Sequence, residues 1–182
     1  MASILNVDQI RNAAGTTAMT IDSSGNITAS GRILTPTRPY FLAQAVHSDT
    51  SYTNQVVPFP NVIENDGSHY STSDNAFTAP VTGLYLFSYS VNGYTTGADR
   101  VFIQRANDGT NYYNIDSRGA TYANETSLQG LHTRGSENVS SYDMTVLTVP
   151  LKVDANGKVR LRINNGTVRL FHANFFSGYL IG

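Results

Sequence analysis

His47, His69, His132 and His172 are the side chains best suited to bind a metal or move a proton. No two of them stand two or four residues apart, and the chain has no Cys. A zinc site draws three or four closely placed ligands from His, Cys and carboxylates. These histidines therefore read as loop or core residues. The Asp and Glu residues do not cluster as a calcium-binding EF-hand loop requires. Covalent catalysis needs a nucleophile beside a base, and no such motif is present. Ser177 sits in Phe176-Ser177-Gly178, which reads as a buried closing strand. The residue types and spacings point away from an enzyme and name no metal ligand and no cofactor.

Two other groups could make contacts. Tyr94, Tyr112, Tyr113 and Tyr122 fall in a loop-rich middle region, with Arg118 and Arg134 nearby. Tyrosine in polar loops offers flat contact area at low entropic cost and suits glycan or protein recognition. The same rings could instead pack between subunits. These six residues are the candidate contacts to a host or partner. Lys158, Arg160 and Arg162 share one strand face, continued by Arg169. That stripe reads as a solvated or edge-protecting face, as a contact to an acidic polymer, or as inter-subunit pairing.

The whole chain limits the alternatives. At 182 residues it suits one domain plus a short appendage. A net charge of −1 gives no electrostatic case for nucleic acid or an anionic membrane. Charged residues make up 14%, against about 25% in ordinary soluble proteins. Asn, Ser, Thr, Gly and Tyr replace them, which suits β-structure with many turns. No apolar run approaches the ~20 residues of a membrane helix. The opening Met-Ala-Ser-Ile-Leu-Asn-Val-Asp-Gln lacks the basic and apolar regions of a signal peptide. The sequons at Asn26, Asn124, Asn138 and Asn165 are then read as accidental. There is no Gly-X-Y repeat.

The elements follow from period-2 alternation. In Phe77 to Val91, Tyr85, Phe87, Tyr89 and Val91 share one face, and Leu84, Leu86, Ser88 and Ser90 share the other. The first set predicts a core face. The second turns from apolar to polar, which predicts a strand running from a buried towards an exposed region. Pro80 and Gly83 stand just before it. Strands are expected at 40–46, 55–59, 61–64, 101–105, 112–115, 142–153, 158–163 and 175–181, with Pro150 interrupting one of them. Residues 47–54 read as polar loop. Asn165-Gly166 has the chemistry of a type I′ hairpin turn. Residues 119–140 stay undecided. Upstream, Met19 and Ile21, a Ser23-Ser24-Gly25-Asn26 turn, and Ile27 and Ala29 predict a small hairpin. A lone hairpin is marginal in water, so it must dock on something. Ile4, Leu5, Val7 and Ile10 are its candidate anchor, and Pro36 and Pro39 bracket a stiff linker.

Several segments carry a resemblance. Phe77-Thr78-Ala79-Pro80 with Gly83-Leu84-Tyr85-Leu86-Phe87-Ser88 resembles the signature of C1q-like domains, of the C1q/tumour-necrosis-factor superfold. Val57-Pro58-Phe59, Val62 to Asn65 and His69-Tyr70 agree upstream, and Phe176-Ser177-Gly178-Tyr179-Leu180-Ile181 resembles the closing strand. Phe77, Gly83, Tyr85, Phe87, Phe176 and Gly178 are the signature core positions. The resemblance implies an all-β, ten-stranded antiparallel jelly roll at 39–182 that assembles as a homotrimer. It also implies a calcium option at the trimer axis, for which Asp99, Asp108 or Asp116 could serve. Residues 4–10 and 15–25 resemble N-terminal attachment segments of phage tail fibres. That implies an arm and linker at 1–38, made in the host cytoplasm without a signal peptide and built into a virion beside capsid, portal or tail proteins. The expected role is a trimeric fibre or knob binding a host-surface glycan or protein. A capsid decoration protein and a lectin-like carbohydrate-binding module are the alternatives.

Overall fold

A computed structural model describes residues 7–30, 38–46, 51–93, 100–115, 121–122, 132–134, 143–164 and 167–182. The chain divides into two units, Met1–Pro36 and Thr37–Gly182.

The first unit is a three-stranded antiparallel meander of β1 (Gln9–Arg11), β2 (Thr17–Ile21) and β3 (Ile27–Ala29). Side chains of its turns satisfy the backbone. Asp22 Oδ1 accepts from the backbone N–H groups of Ser24 and Asn26, each at 2.9 Å, and Asn26 Nδ2 donates to Asp22 Oδ2 at 2.8 Å. These bonds, that from the Asn26 side chain first, hold the Asp22 carboxyl below its usual range. Gly25 supplies the positive φ of 81° at the tip. The hairpin is as read, and the segment before it adds a third strand. No described residue of this unit is buried.

The second unit holds β4 (Tyr40–Gln44), β5 (Ser51–Thr53), β6 (Asn61–Asn65), β7 (Tyr70–Ser71), β8 (Ala76–Thr78), β9 (Gly83–Gly93), β10 (Arg100–Ala106), β11 (Tyr113–Ile115), β12 (Thr121–Tyr122), β13 (His132–Arg134), β14 (Asp143–Val153), β15 (Lys158–Ile163), β16 (Thr167–Arg169) and β17 (Phe175–Leu180). One sheet runs β5-β16-β9-β17-β4-β6, with β14 on the other side of β9. The other runs β12-β11-β10-β15-β8-β7, with β13 also on β10. All pairings are antiparallel, as expected for a jelly roll.

The strand β9 is central. Its Tyr85, Phe87, Tyr89 and Val91 are fully buried between the sheets, as their alternation predicts. Phe41 stacks on Tyr70 with centroids 4.9 Å apart and meets Phe176 edge-on at 4.9 Å. Phe77 meets Phe87 at 5.7 Å. The buried phenols keep partners: Tyr89 Oη donates to the Val101 carbonyl at 2.8 Å and Tyr85 Oη to that of Val81 at 2.8 Å. Burial pushes the Tyr70 phenol well above its usual range. Two signature glycines mark close approaches. A Cβ on Gly178 would lie 2.6 Å from Phe87 Cδ1, and one on Gly83 would lie 2.5 Å from Leu180 Cδ1.

Five expectations change. The second face of β9 is buried in the reverse sense: Leu84 is 42% exposed and Ser90 1%. Ser90 lies in register between Val146 and Phe175, and large neighbours cover a small residue. Pro150 does not interrupt β14, which runs through it. Among the described residues β14 pairs only with β9, and an edge strand tolerates a residue with no N–H. The polar loop at 47–54 contains β5, paired to β16. Residues 55–59 form only a bridge, Val56 to Arg162, because the prolines limit pairing. Asn165-Gly166 lies outside the described residues, but its flanking strands do not pair with each other. Those strands, β15 and β16, belong to opposite sheets.

Candidate functional site

Register assigns the outer face of the first sheet. Cross-strand partners share a face and successive residues alternate. One row across four strands is therefore Pro150, Leu86, Tyr179 and Tyr40. All four are apolar or aromatic, with Tyr179 47% and Tyr40 42% exposed. The next row is Thr148, Ser88, Ser177, Leu42 and Glu64. Its hydroxyls are tied down: Ser88 Oγ and Thr148 Oγ1 are 2.8 Å apart, and Ser177 Oγ donates to the Ser88 carbonyl at 3.3 Å. The third row is Val146, Ser90, Phe175, Gln44 and Asn61, with Val146 53% exposed.

These rows carry little charge, and Arg169 of β16 also faces outward on this sheet, next to buried Val168. Leu84 faces out opposite Lys152, and Lys152 and Glu64 are the charged residues in these rows. They stand on the two flanking strands, β14 and β6, with opposite sign. Glu64 lies beside Tyr40, and its charge raises the Tyr40 phenol above its ordinary range. An apolar row with neutral hydroxyls beside it can exclude water against another protein surface.

The basic stripe is used inside the chain as far as Lys158, Arg160 and Arg162, whereas Arg169, expected to continue it, lies on β16 in the other sheet. Lys158 Nζ pairs with Asp74 Oδ2 at 2.8 Å. Arg160 Nε donates to Gln104 Oε1 at 3.0 Å, and its guanidinium carbon lies 3.5 Å from the Tyr112 ring centre, a cation–π contact. Gln104 is fully buried and passes the chain on from Nε2 to Asn114 Oδ1 at 2.9 Å. Arg162 Nε donates to Asn164 Oδ1 at 3.0 Å and Nη2 to the Asn54 carbonyl at 3.3 Å. These bonds lock the outer face of the second sheet.

The expected contact residues are partly gathered. Tyr112 is held by Arg160, Tyr113 opens β11, and Tyr122 lies on β12 opposite Asn114. Arg134 lies on β13 opposite Arg100, and Tyr94 and Arg118 lie outside the described residues. Of the anchor set, Val7 and Ile10 are exposed in the first unit, and Ile4 and Leu5 lie outside the described residues. Asp99 and Asp116 also lie outside them. Asp108 caps its own turn, accepting from the N–H groups of Thr110 at 2.9 Å and Asn111 at 2.8 Å. These bonds, that from Thr110 first, lower its carboxyl to about 2. Among the described residues no three His, Asp or Glu side chains gather as a metal site would need. Sequence reasoning missed the outer row. Its signal was the off-face alternation of Leu84 and Leu86 with Tyr179 in the closing strand.

Two antiparallel sheets with this strand order, closed over an aromatic core, define a jelly roll of the C1q and tumour-necrosis-factor class. The C1q domain profile matches residues 40–181, and the chain belongs to that family. Mouse complement C1q tumor necrosis factor-related protein 3 is 25% identical over 133 residues. The match covers 72% of this chain and 46% of that protein, so the chain spans about half the length of this curated relative. The globular domain of zebrafish complement 1qA superposes with a TM-score of 0.59 at 16% identity, covering 80% of this chain and 98% of that one. Murine APRIL at pH 5.0 gives 0.55 at 11% identity, covering 79% and 99%. The Eiger TNF of S. frugiperda gives 0.54 at 10% identity, covering 80% and 94%. These structural likenesses concern the fold.

Proposed function

We propose that this chain is a non-enzymatic virion structural protein of a bacteriophage, a homotrimer that presents its C1q-type head to the host surface. The observation that carries self-association is the outer row Pro150, Leu86, Tyr179 and Tyr40, an uncharged apolar band on the outer face of the first sheet. Lys152 on one flanking strand and Glu64 on the other suit a head-to-tail ring, in which unlike surfaces meet and the rotation closes. Trimer formation by C1q-family domains supports the same reading. The first unit supports attachment. It is a small sheet in which no described residue is buried, and residues 4–10 and 15–25 are those read as resembling attachment segments of phage fibres. Residues 1–38 would hold the protein to capsid, portal or tail proteins, leaving the tyrosine-bearing edge around β11 and β12 for a host glycan or protein.

Two measurements test this. Light scattering on the purified full chain should give three chain masses, and a single chain mass refutes the trimer. Mass spectrometry of purified phage particles should find the protein in fixed stoichiometry. Its absence from particles, together with glycan binding by the free protein, moves the lectin-like reading ahead. Many copies per head, with capsids fragile in its absence, identifies a decoration protein.

A further inference from the structure

The outer face of the first sheet has a width, and the width limits how many copies can meet on it. From β14 through β9, β17 and β4 to β6 the strands span about 19 Å, at about 4.8 Å per spacing. Sheets pack face to face at about 10 Å, so each lies about 5 Å from the middle of the contact. Three faces of this width, set as the sides of a triangle, each lie about 5.5 Å from its centre. Four set as a square lie about 10 Å away and leave the centre unfilled. Three copies therefore match the space that one layer of side chains occupies. The size also suits an interface. At about 16 Å² for each strand residue, the seven strands of this sheet present about 700 Å² of flat face, which side-chain relief enlarges. A stable interface buries about 800 Å² per partner.

In such a triangle the flanks meet at the corners, β14 of one copy against β6 of the next. Their charges are opposite. Lys152 is exposed on β14, in the row beyond Pro150. Glu64 is exposed on β6, and Asp66 is exposed just after it. Both carboxylates lie near Tyr40, whose phenol their charges raise. Tyr40 belongs to the Pro150 row, one step from Lys152 and about 7 Å along the strands. The flexible four-carbon stem of a lysine can bridge such a step. Neighbouring charges leave this arrangement in place. Asp154, two residues after Lys152, acts on Arg105. Arg38, exposed just before β4, offsets one of the two acids on its flank. Arg169 lies at the far end, where β16 meets Gly93 of β9, and its Nε donates to Ser51 Oγ at 3.4 Å. Among the described residues no ion pair uses Lys152, Glu64 or Asp66.

Resting on the trimer proposed above, we infer that each corner is closed by an ion pair from Lys152 of one copy to the Glu64 and Asp66 carboxylates of the next. A ring of three joins unlike surfaces, and this pair gives the join its direction. Flanks of the same kind would bring like charges together, which is costly. The apolar row supplies most of the affinity, and the corner pair fixes which flank meets which.

Charge reversal on the full chain tests this. Lys152→Glu, Glu64→Lys with Asp66→Lys, and all three changes together are made, with Lys152→Gln as a neutral variant. Circular dichroism checks each fold. Light scattering follows the mass over a dilution series in sub-denaturing urea, at low and at high sodium chloride. The parent is expected at three chain masses, with a half-dissociation concentration that rises with salt. Either reversal alone should raise that concentration by about tenfold, and the combined reversal should restore it. Lys152→Gln should raise it less and should respond less to salt than the parent does. A trimeric parent whose dissociation neither reversal changes, or folded reversals that the combination fails to rescue, overturn the corner pair and leave the trimer standing. Where a reversal fails to fold, Lys152→Gln decides, and a salt response equal to the parent's overturns the pair. A parent of one or two chain masses overturns both.

Discussion

Replacing Gly178 by Ala tests whether the aromatic core is packed as described. The added Cβ would stand 2.6 Å from Phe87 Cδ1, 2.7 Å from Phe87 Cε1 and 2.8 Å from Phe41 Cε1. Carbon atoms pack at about 3.5–4.0 Å, so two rings must each give way by nearly an ångström. Neither has room. Phe87 stacks against Phe176 and Tyr85, each with centroids 6.1 Å away, and Phe41 stacks on Tyr70. Overpacking of this kind costs about 1–3 kcal/mol. For a domain of this size each kcal/mol lowers Tm by about 2–4 °C, so a cost near 2 kcal/mol lowers it by about 4–8 °C. Calorimetry and urea unfolding at one fixed protein concentration measure it, since assembly makes stability concentration-dependent. Phe87→Leu in the Gly178→Ala background removes one of the two clashes. The pair should be less destabilising than the sum of the single changes by about 1 kcal/mol. Unfolding of Gly178→Ala within about 0.5 kcal/mol of the parent, or strict additivity of the pair, would refute the packing argument.

Other expectations follow from the same geometry. Leu86→Asp places a carboxylate in the apolar row and should reduce the particle mass in light scattering to one chain while leaving the circular dichroism unchanged; a surviving trimer removes that face from the interface. Gln104→Leu breaks the link between Asn114 and Arg160 and should cost about 1–3 kcal/mol in urea unfolding. Lys158→Ala removes a surface ion pair with Asp74 and should cost less than about 1 kcal/mol, and the opposite ranking would contradict the burial of Gln104. Asp108 has a carboxyl at about 2 in the fold against an ordinary 3.8. Its contribution is therefore complete above about pH 4 and is lost as pH falls through about 2. The stability gap between parent and Asp108→Ala should be constant above that window and shrink within it, and a gap that stays flat under acid titration speaks against the turn cap.

Local patterning determined much of this protein. The Tyr85, Phe87, Tyr89 and Val91 face of β9 was legible because a strand repeats every two residues and one face was all large and apolar. The turn at Ser23 to Asn26 was legible because Ser, Asn and Gly carry turn geometry in their own side chains or lack of one. The jelly-roll class was implied by the resemblance of three separated segments, in order, to C1q-like domains. Tertiary structure decided what joins distant parts of the chain. Asn165-Gly166 reads locally as a hairpin, yet β15 and β16 go to opposite sheets, because each finds its ladder with strands far away in sequence. The basic stripe reads as a solvated face or a contact surface, yet Arg160 is held by Gln104 of β10 and by Tyr112 just before β11, and Lys158 by Asp74 in the turn before β8. The outer row draws Tyr40, Leu86, Pro150 and Tyr179 from four strands. No local period can show such a row, since its members become neighbours only when the register of the sheet is set.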